Sequence, residues 1–212
     1  MNEHYYSQRP SVQHDEKIID ATFFGRTFQF KTDAGVFSKN RIDFGTTALI
    51  DTIHYPRSAK ILDLGCGYGP VGIVSASVLA EGQVQMVDVN ERAVELAKYN
   101  ILHNQKVLNE RVAINVFQSN GFEKVLDRDF DLILLNPPIR AGKILVYQLF
   151  EESYLHLKNN GQLWIVIQKK QGAASAMKKL ESLFQRVEEV DKLKGYSIFQ
   201  VTKKCKNENF KP

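Results

Sequence analysis

The glycine-rich segment at residues 61–72 (ILDLGCGYGPVG) constrains the fold more than any other part of this sequence. Its first residues, Ile61, Leu62 and Leu64, form an apolar run typical of a parallel strand covered on both faces. Glycines alternate at positions 65, 67 and 69, and the small apolar residues at 71–80 predict a helix packed on a sheet. Open α/β sheets bind ligands where the carboxyl end of a strand leads into the start of a helix. The segment therefore predicts an α/β fold with a ligand site at this turn. The alternative is a plain turn, which has the same glycine-rich composition.

The spacing of the glycines excludes two common nucleotide-binding motifs. A dinucleotide fingerprint, G-x-G-x-x-G, would have its third glycine where this chain has Pro70. A P-loop requires Gly-Lys-Ser/Thr after the turn, and none follows. We therefore expect neither a nicotinamide dinucleotide nor a P-loop nucleotide here.

An acidic residue ends the second predicted strand, at residues 83–90 (QVQMVDVN). Asp88 stands 23 residues after Gly65, close to the spacing of about 20 at which a carboxylate holds a ribose. A carboxylate can accept hydrogen bonds from both neighbouring ribose hydroxyls. The alternative for Asp88 is a plain helix cap, because a helix is predicted over residues 93–104.

Two prolines follow the fourth predicted strand, at residues 130–135 (FDLILL), in the sequence Asn136-Pro137-Pro138. Proline cannot continue a strand ladder, so the chain leaves the sheet in a rigid turn. The Asn136 amide oxygen and the Pro137 carbonyl are acceptors without being bases, which suits a substrate amino group whose lone pair is delocalised. In isolation the same three residues are a common turn; at the end of this strand they predict a catalytic site.

The rest of the chain predicts one domain. A polar, flexible arm at residues 1–16 contains Tyr5 and Tyr6, and strands at 17–24 and 26–32 form a hairpin that extends the main sheet at its N-terminal end. A loop follows, and Thr46 or Thr47 caps a helix over 48–54. We expect the domain to cover 17–203, with 17–45 as its N-terminal extension and 204–212 as a basic tail.

The composition and charge of the chain bear on its cellular location, its metal content and its partners. The 212 residues contain no apolar run long enough for a membrane span and no signal-peptide core, and the two cysteines suggest no disulfide framework, so we expect a cytoplasmic protein. The five histidines lack metal-ligand spacing, and no metal is expected. Residues 158–212 carry 12 Lys+Arg and 5 Asp+Glu, which favours one basic face toward a polyanion or, alternatively, ordinary solvated charge.

Together these motifs resemble those of the class I S-adenosylmethionine-dependent methyltransferases. The closer resemblance is to the small-domain methyltransferases related to the 16S ribosomal RNA guanine-N2 enzymes. It is carried by Gly35-Val36-Phe37-Ser38 with Asp43 and Gly45, the glycine turn, Asp88-Val89-Asn90 with Ala93 and Asn100, Ser119-Asn120, and Asn136-Pro137-Pro138.

The resemblance implies a Rossmann-like, seven-stranded, mostly parallel sheet of order 3-2-1-4-5-7-6, counted from the glycine-turn strand, with strand 7 antiparallel and helices on both faces. It implies S-adenosyl-L-methionine as the cofactor. In such a fold Asn120 lies beside the adenine, although Asn120-Gly121 is also a common turn pair. The expected cofactor-binding residues are Asp63, Gly65, Cys66, Gly67, Gly69, Asp88, Val89, Asn120 and Asn136. The expected catalytic residues are Asn136, Pro137 and Pro138.

Two departures from the family affect the substrate. The ribosomal RNA enzymes carry an aromatic residue after Asn-Pro-Pro and a second domain ahead of this one; this chain has Ile139 and a short arm. Phe37 is a candidate for the missing ring, or else a core residue. Arg140 and Lys143 are candidates for phosphate contact, or for capping the turn in solvent.

The leading hypothesis is methyl transfer to an exocyclic amino group of RNA, above all guanine N2 of 16S ribosomal RNA, with that RNA or the small ribosomal subunit as partner. One alternative is a protein glutamine or small-molecule N-methyltransferase. The other is a non-catalytic RNA-binding or ribosome-assembly factor.

Overall fold

The computed structural model describes residues 7–204, which form two sheets and five α-helices. The strands are β1 (Lys17–Phe23), β2 (Arg26–Thr32), β3 (Ser58–Leu64), β4 (Glu81–Asp88), β5 (Val112–Gln118), β6 (Phe130–Leu135), β7 (Leu157–Gln168), β8 (Arg186–Leu193) and β9 (Tyr196–Thr202). The helices are α1 (Phe44–Thr52), α2 (Pro70–Val78), α3 (Glu91–His103), α4 (Lys143–His156) and α5 (Ala173–Leu183).

The main sheet has the order β5-β4-β3-β6-β7-β9-β8. β3, which carries the glycine turn at its end, is central and pairs in parallel with β4 and β6. β9 runs antiparallel to both β7 and β8. Counted from β3, this is the predicted order 3-2-1-4-5-7-6 with an antiparallel strand 7, so the predicted Rossmann-like methyltransferase fold is confirmed.

Each face of this sheet has its own core. On β3, Ile61 faces the core beneath α1, α2 and α3, whereas Leu62 and Leu64 face the core beneath α4 and α5. The neighbouring residues Ile61 and Leu62 are both apolar because both faces of the strand are covered. All parallel strands therefore end at one edge, where the loops from both layers meet.

The predicted N-terminal hairpin is confirmed, but the prediction that it extends the main sheet is wrong. β1 and β2 pair only with each other and form a separate two-stranded sheet. Phe28 and Phe30 of β2 are fully buried in the core on the α3 side. The outer edge of β2 meets two asparagine side chains, Asn100 of α3 and Asn104 at the C-cap of that helix. The Asn104 amide bonds to both backbone groups of Gln29, and the Asn100 amide to both of Lys31. Side chains thus take the hydrogen bonds that another strand would take.

The first helix starts earlier than predicted. Asp43, rather than Thr46 or Thr47, is its N-cap, and the Asp43 carboxylate accepts from the amides of Gly45 and Thr46 at 2.9 and 3.4 Å. The capping acid brings Thr46 into the first turn of α1, where it is buried.

Residues 7–16 run over the domain without regular secondary structure, in the region predicted to be a flexible arm. The Gln8 carbonyl accepts from the Glu91 amide at 3.0 Å. The Arg92 guanidinium bonds to the carbonyls of Ala34, Val12 and Pro10. Residues 8–12 are therefore docked on α3, while Tyr5, Tyr6 and the tail beyond Lys204 lie outside the described residues. No helix within residues 7–204 is both long and apolar enough to cross a bilayer.

Candidate active site

A cavity of about 610 Å³ opens at the carboxyl edge of the main sheet. This volume is within the usual range of small-molecule sites. The predicted site residues that line it are Phe37, Asp63, Gly65, Cys66, Gly67, Asp88, Val89, Asn120, Asn136, Pro137, Pro138, Ile139 and Arg140. Two others, Gly69 and Lys143, lie outside the lining.

The glycine turn forms an open cradle in the wall of the cavity. Gly65 and Gly67 have φ angles of +74° and +56°, which L side chains rarely adopt. A Cβ placed on either would meet no described atom within 4 Å, so the backbone faces open space there. At Gly69 a Cβ would lie 2.8 Å from Met86 Cε, in the core. Gly65 and Gly67 therefore suit close approach of a ligand, whereas Gly69 allows α2 to pack.

Asp88 connects the end of β4 to this cradle. Its Oδ2 accepts from the Gly67 amide at 2.8 Å and its Oδ1 from the Asn90 amide at 2.9 Å. Each carboxylate oxygen keeps further acceptor capacity, which faces the cavity that Asp88 lines. Burial raises the pKa of Asp88.

Asp63 is buried beneath the same turn. Its Oδ2 accepts from the Gly72 amide at 2.8 Å and so secures the first turn of α2. Burial, together with the nearby charge of Asp88, raises the pKa of Asp63 to about 7. Cys66 is buried in the turn, and burial raises the pKa of its thiol well above the ordinary value. The thiol is therefore protonated and packs as a small apolar group.

The Asn136-Pro137-Pro138 turn lies beside the glycine turn, because Leu135 of β6 pairs with Leu64 of β3. Pro138 has φ −75° and ψ +75°, and the Pro137 carbonyl accepts from the Ile139 amide at 2.8 Å. This is an inverse γ-turn, and the proline ring fixes the φ that it requires. The Pro137 carbonyl keeps its second lone pair. The Asn136 Nδ2 donates to Thr46 Oγ1 at 3.0 Å, which leaves the amide oxygen available.

The sequence did not predict several of the residues that line the cavity, among them Thr46, Gln168, Gln171 and Tyr196. Thr46 had been predicted only as a cap. Tyr196 begins β9, and its ring packs on Phe44 with centroids 5.6 Å apart. The antiparallel position of β9 brings Tyr196 beside the end of β7, a register that no local pattern signals.

The predicted substrate-contacting residues lie at the mouth. Phe37 lines the cavity and is 37% exposed, and Arg140 lines it and is exposed. Ile139, also in the lining, packs partly against the α4 side of the core. Lys143 points elsewhere: its Nζ lies 5.1 Å from the Tyr147 ring centroid. On the opposite side, Asn120 donates from Nδ2 to Glu123 Oε1 at 2.7 Å.

One group of side chains outside the cavity has metal-ligand geometry, namely His14, Glu16 and Asp33. Each acid already has partners: Glu16 pairs with Lys31 at 2.7 Å, and Asp33 accepts from the Asp15 and Ala34 amides. His14 also hydrogen bonds to Asp33. These contacts explain why the three side chains lie close together: they attach the N-terminal arm to the end of β2.

A family model described as methyltransferase small domain matches residues 27–200. The chain belongs to this family. The match confirms the predicted resemblance, and the glycine turn, Asp88 and Asn136 all fall inside it.

The relatives fall into two groups by length. The uncharacterized protein YbxB of Bacillus subtilis is 48% identical over 96% of this chain and 100% of its own length. Ribosomal RNA large subunit methyltransferase G of Psychromonas ingrahamii is 29% identical over 80% of this chain but only 44% of its own. Among solved structures, a Thermus thermophilus 16S rRNA N2 methyltransferase, in complex with AdoMet and guanosine, has a TM-score of 0.78 at 21% identity. That match covers 92% of this chain and 52% of the other, so the chain spans about half of these ribosomal RNA enzymes.

Proposed function

We propose that this small-domain methyltransferase uses S-adenosyl-L-methionine to methylate an exocyclic amino group of RNA, with guanine N2 of 16S ribosomal RNA as the first candidate. The observation that carries the proposal is that the glycine cradle and the Asn136 turn line one cavity and follow the paired strands β3 and β6 directly, with Leu64 beside Leu135. A methyltransferase must hold a donor and an acceptor in contact, and two neighbouring turns that line one cavity can do so.

The glycine cradle fits S-adenosyl-L-methionine. The open backbone at Gly65 and Gly67 admits a ligand against the main chain, and Asp88 offers acceptors to a ribose. Val89 and Asn120 line the adjoining wall, where an adenine would lie. When bound, S-adenosyl-L-methionine would supply an electrophilic methyl group, and the electron pair of the broken sulfur–carbon bond would stay on sulfur.

The Asn136 turn fits a planar amino group. The Asn136 Oδ1 and the free lone pair of the Pro137 carbonyl can accept its two hydrogens. Accepting both turns the nitrogen lone pair toward the methyl group and stabilises the charge that develops on nitrogen. The nitrogen releases one proton after transfer, so the acceptors need not be strong bases. Phe37 and Tyr196 are two of the three aromatic residues in the lining, and we propose that the base packs on them in place of a ring at Ile139.

Basic side chains on the turns that carry lining residues favour RNA over a protein or a small molecule. Arg140, Lys169, Lys170 and Lys194 are all exposed, and none has an ion pair within residues 7–204. The Lys169 amide donates to the Gly195 carbonyl at 2.8 Å, which holds the two lysine-bearing turns together. We name Arg140, Lys169, Lys170 and Lys194 the basic rim. A phosphate backbone would gain affinity from it through counterion release.

The relatives named for ribosomal RNA support the RNA assignment, and with it we place the protein in the cytoplasm with ribosomal RNA or a ribosomal subunit as partner. One of these relatives is named for the large ribosomal subunit and the other for 16S ribosomal RNA, so RNA from both subunits is included in the test.

The test is transfer of labelled methyl from S-adenosyl-L-methionine to fractions from cells lacking this gene. The fractions are naked small- and large-subunit RNA, assembled subunits, and soluble protein. We expect label in a small-subunit fraction and N2-methylguanosine on mass spectrometry of the digested nucleosides. Label confined to protein would replace the proposal with the glutamine alternative. No label in any fraction, with cofactor binding intact, would leave a small-molecule acceptor or a non-catalytic RNA-binding role.

A further inference from the structure

Within residues 7–204, the Asn136 amide is held by a hydrogen bond at its NH2 end only. Its Nδ2 donates to Thr46 Oγ1 at 3.0 Å, across 90 residues of sequence. The χ2 torsion of asparagine is broad and roughly two-fold, so an unheld amide would present its NH2 group to the cavity as readily as its oxygen. An NH2 group facing a substrate amino group would place donor against donor. In the structure the Thr46 hydroxyl accepts from the NH2 group, which is the end that has to point away from the substrate.

Thr46 is itself firmly placed. It is 7% exposed, and its amide is bound by the capping carboxylate of Asp43. The preceding Gly45 fits against Tyr196, whose ring carbon Cε1 would lie 2.8 Å from a Cβ at position 45. Leu49 and Ile50 of the same helix are fully buried. The hydroxyl is thus presented from a fixed helix turn rather than from a mobile loop.

We infer that Thr46 is a positioning residue: its hydroxyl orients the Asn136 amide so that Oδ1 accepts from the substrate amino group. This role rests on the proposed function. Thr46 acts through Asn136, so its loss should appear in turnover rather than in cofactor or RNA affinity.

The test compares three substitutions on one helix turn. Thr46→Val keeps the side-chain shape and removes the hydroxyl, and Thr46→Ser restores it. Thr47→Val is the matched control, because Thr47 Oγ1 bonds at 3.2 Å to the Asp43 carbonyl inside its own helix. We expect T46V to lower kcat at least about tenfold with unchanged KM for RNA, T46S to recover most of it, and T47V to match the wild type.

A second measurement does not depend on activity. The side-chain NH2 resonance of Asn136 in NMR spectra should shift and exchange faster in T46V but not in T47V. An unchanged resonance, or wild-type kcat in T46V while N136A is inactive, would overturn the inference and leave the proposed function standing. A shifted resonance in a protein that methylates no fraction would support the contact and reject the proposed function instead.

Discussion

Asp88 Oδ2 lies 2.8 Å from the backbone nitrogen of Gly67, so the acid at the end of β4 and the glycine turn after β3 form one hydrogen-bonded unit. Asp88→Ala should therefore raise the Kd for S-adenosyl-L-methionine about tenfold or more, through loss of the ribose acceptor and of this turn contact. Isothermal titration measures it. Asp20→Ala, at an exposed position of β1, is the control, and equal affinities in the two variants would remove Asp88 from the ribose role.

Alanine substitutions in the glycine turn and in the hairpin turn should have similar effects on stability but different effects on cofactor binding. Gly67→Ala and Gly25→Ala both place a side chain at positive φ with no described atom within 4 Å. Each should cost about 1–2 kcal/mol of unfolding free energy. Only G67A fills the cradle, so only G67A should weaken cofactor binding. Denaturant melts and titrations of both variants check this, and equal affinity in G25A and G67A would contradict it.

On the proposed mechanism, Asn136→Ala should abolish methyl transfer while leaving cofactor affinity unchanged, because Asn136 would hold the acceptor amino group and Asp88 the ribose. By analogy with the loss of a transition-state hydrogen-bonding group, we expect kcat to fall by about a hundredfold or more. Asn115→Ala, at an exposed position of β5, should retain full activity. Normal turnover in N136A would reject the proposed mechanism.

The basic rim predicts salt-dependent RNA binding. Replacing Lys169, Lys170 and Lys194 together by Ala should reduce the slope of log Kobs against log salt concentration by about 2. The control removes the same charge from the opposite edge of the sheet, at Arg57, Lys106 and Arg128, which are also exposed. Equal slopes for the two triple variants would place RNA elsewhere.

Asp63 predicts a pH dependence of stability. Its pKa is about 7 in the folded protein against 3.8 ordinarily, so the folded state holds a proton that the unfolded state has lost. The unfolding free energy should therefore fall as pH rises from about 4 to about 7, by up to about 4 kcal/mol from this group. Asp63→Asn should flatten that dependence, whereas Asp20→Asn should not. Urea melts across this range decide it, and parallel curves for wild type and D63N would refute the assignment.

The sequence predicted the parts of the site that lie next to a strand end. β5 and β6 begin and end where their apolar runs do, and the glycine turn, Asp88 and Asn136 follow such runs directly. Local pattern sufficed there because the order of strands in an open parallel sheet brings their carboxyl ends to one edge.

Contacts between distant segments could not be predicted in the same way. Polar and apolar side chains alternate along the hairpin as they do in a strand of a larger sheet. No local pattern shows that the side chains of Asn100 and Asn104, rather than a neighbouring strand, complete the hydrogen bonds of its edge. The bond from Thr46 to Asn136 depends on where α1 packs, and α1 was misplaced because Asp43 was not recognised as its cap. Tyr196 reaches the cavity only through the antiparallel register of β9.

The asparagine contacts of the hairpin have a consequence for synthesis on the ribosome. β2 is complete at Thr32, but the side chains that cover its outer edge come from Asn100 and Asn104. An isolated two-stranded hairpin is marginally stable, and an open strand edge invites pairing with other chains. The nascent chain must therefore carry this edge uncovered until Asn104, just after α3, has left the exit tunnel. The hairpin thus emerges well before the side chains that complete its edge.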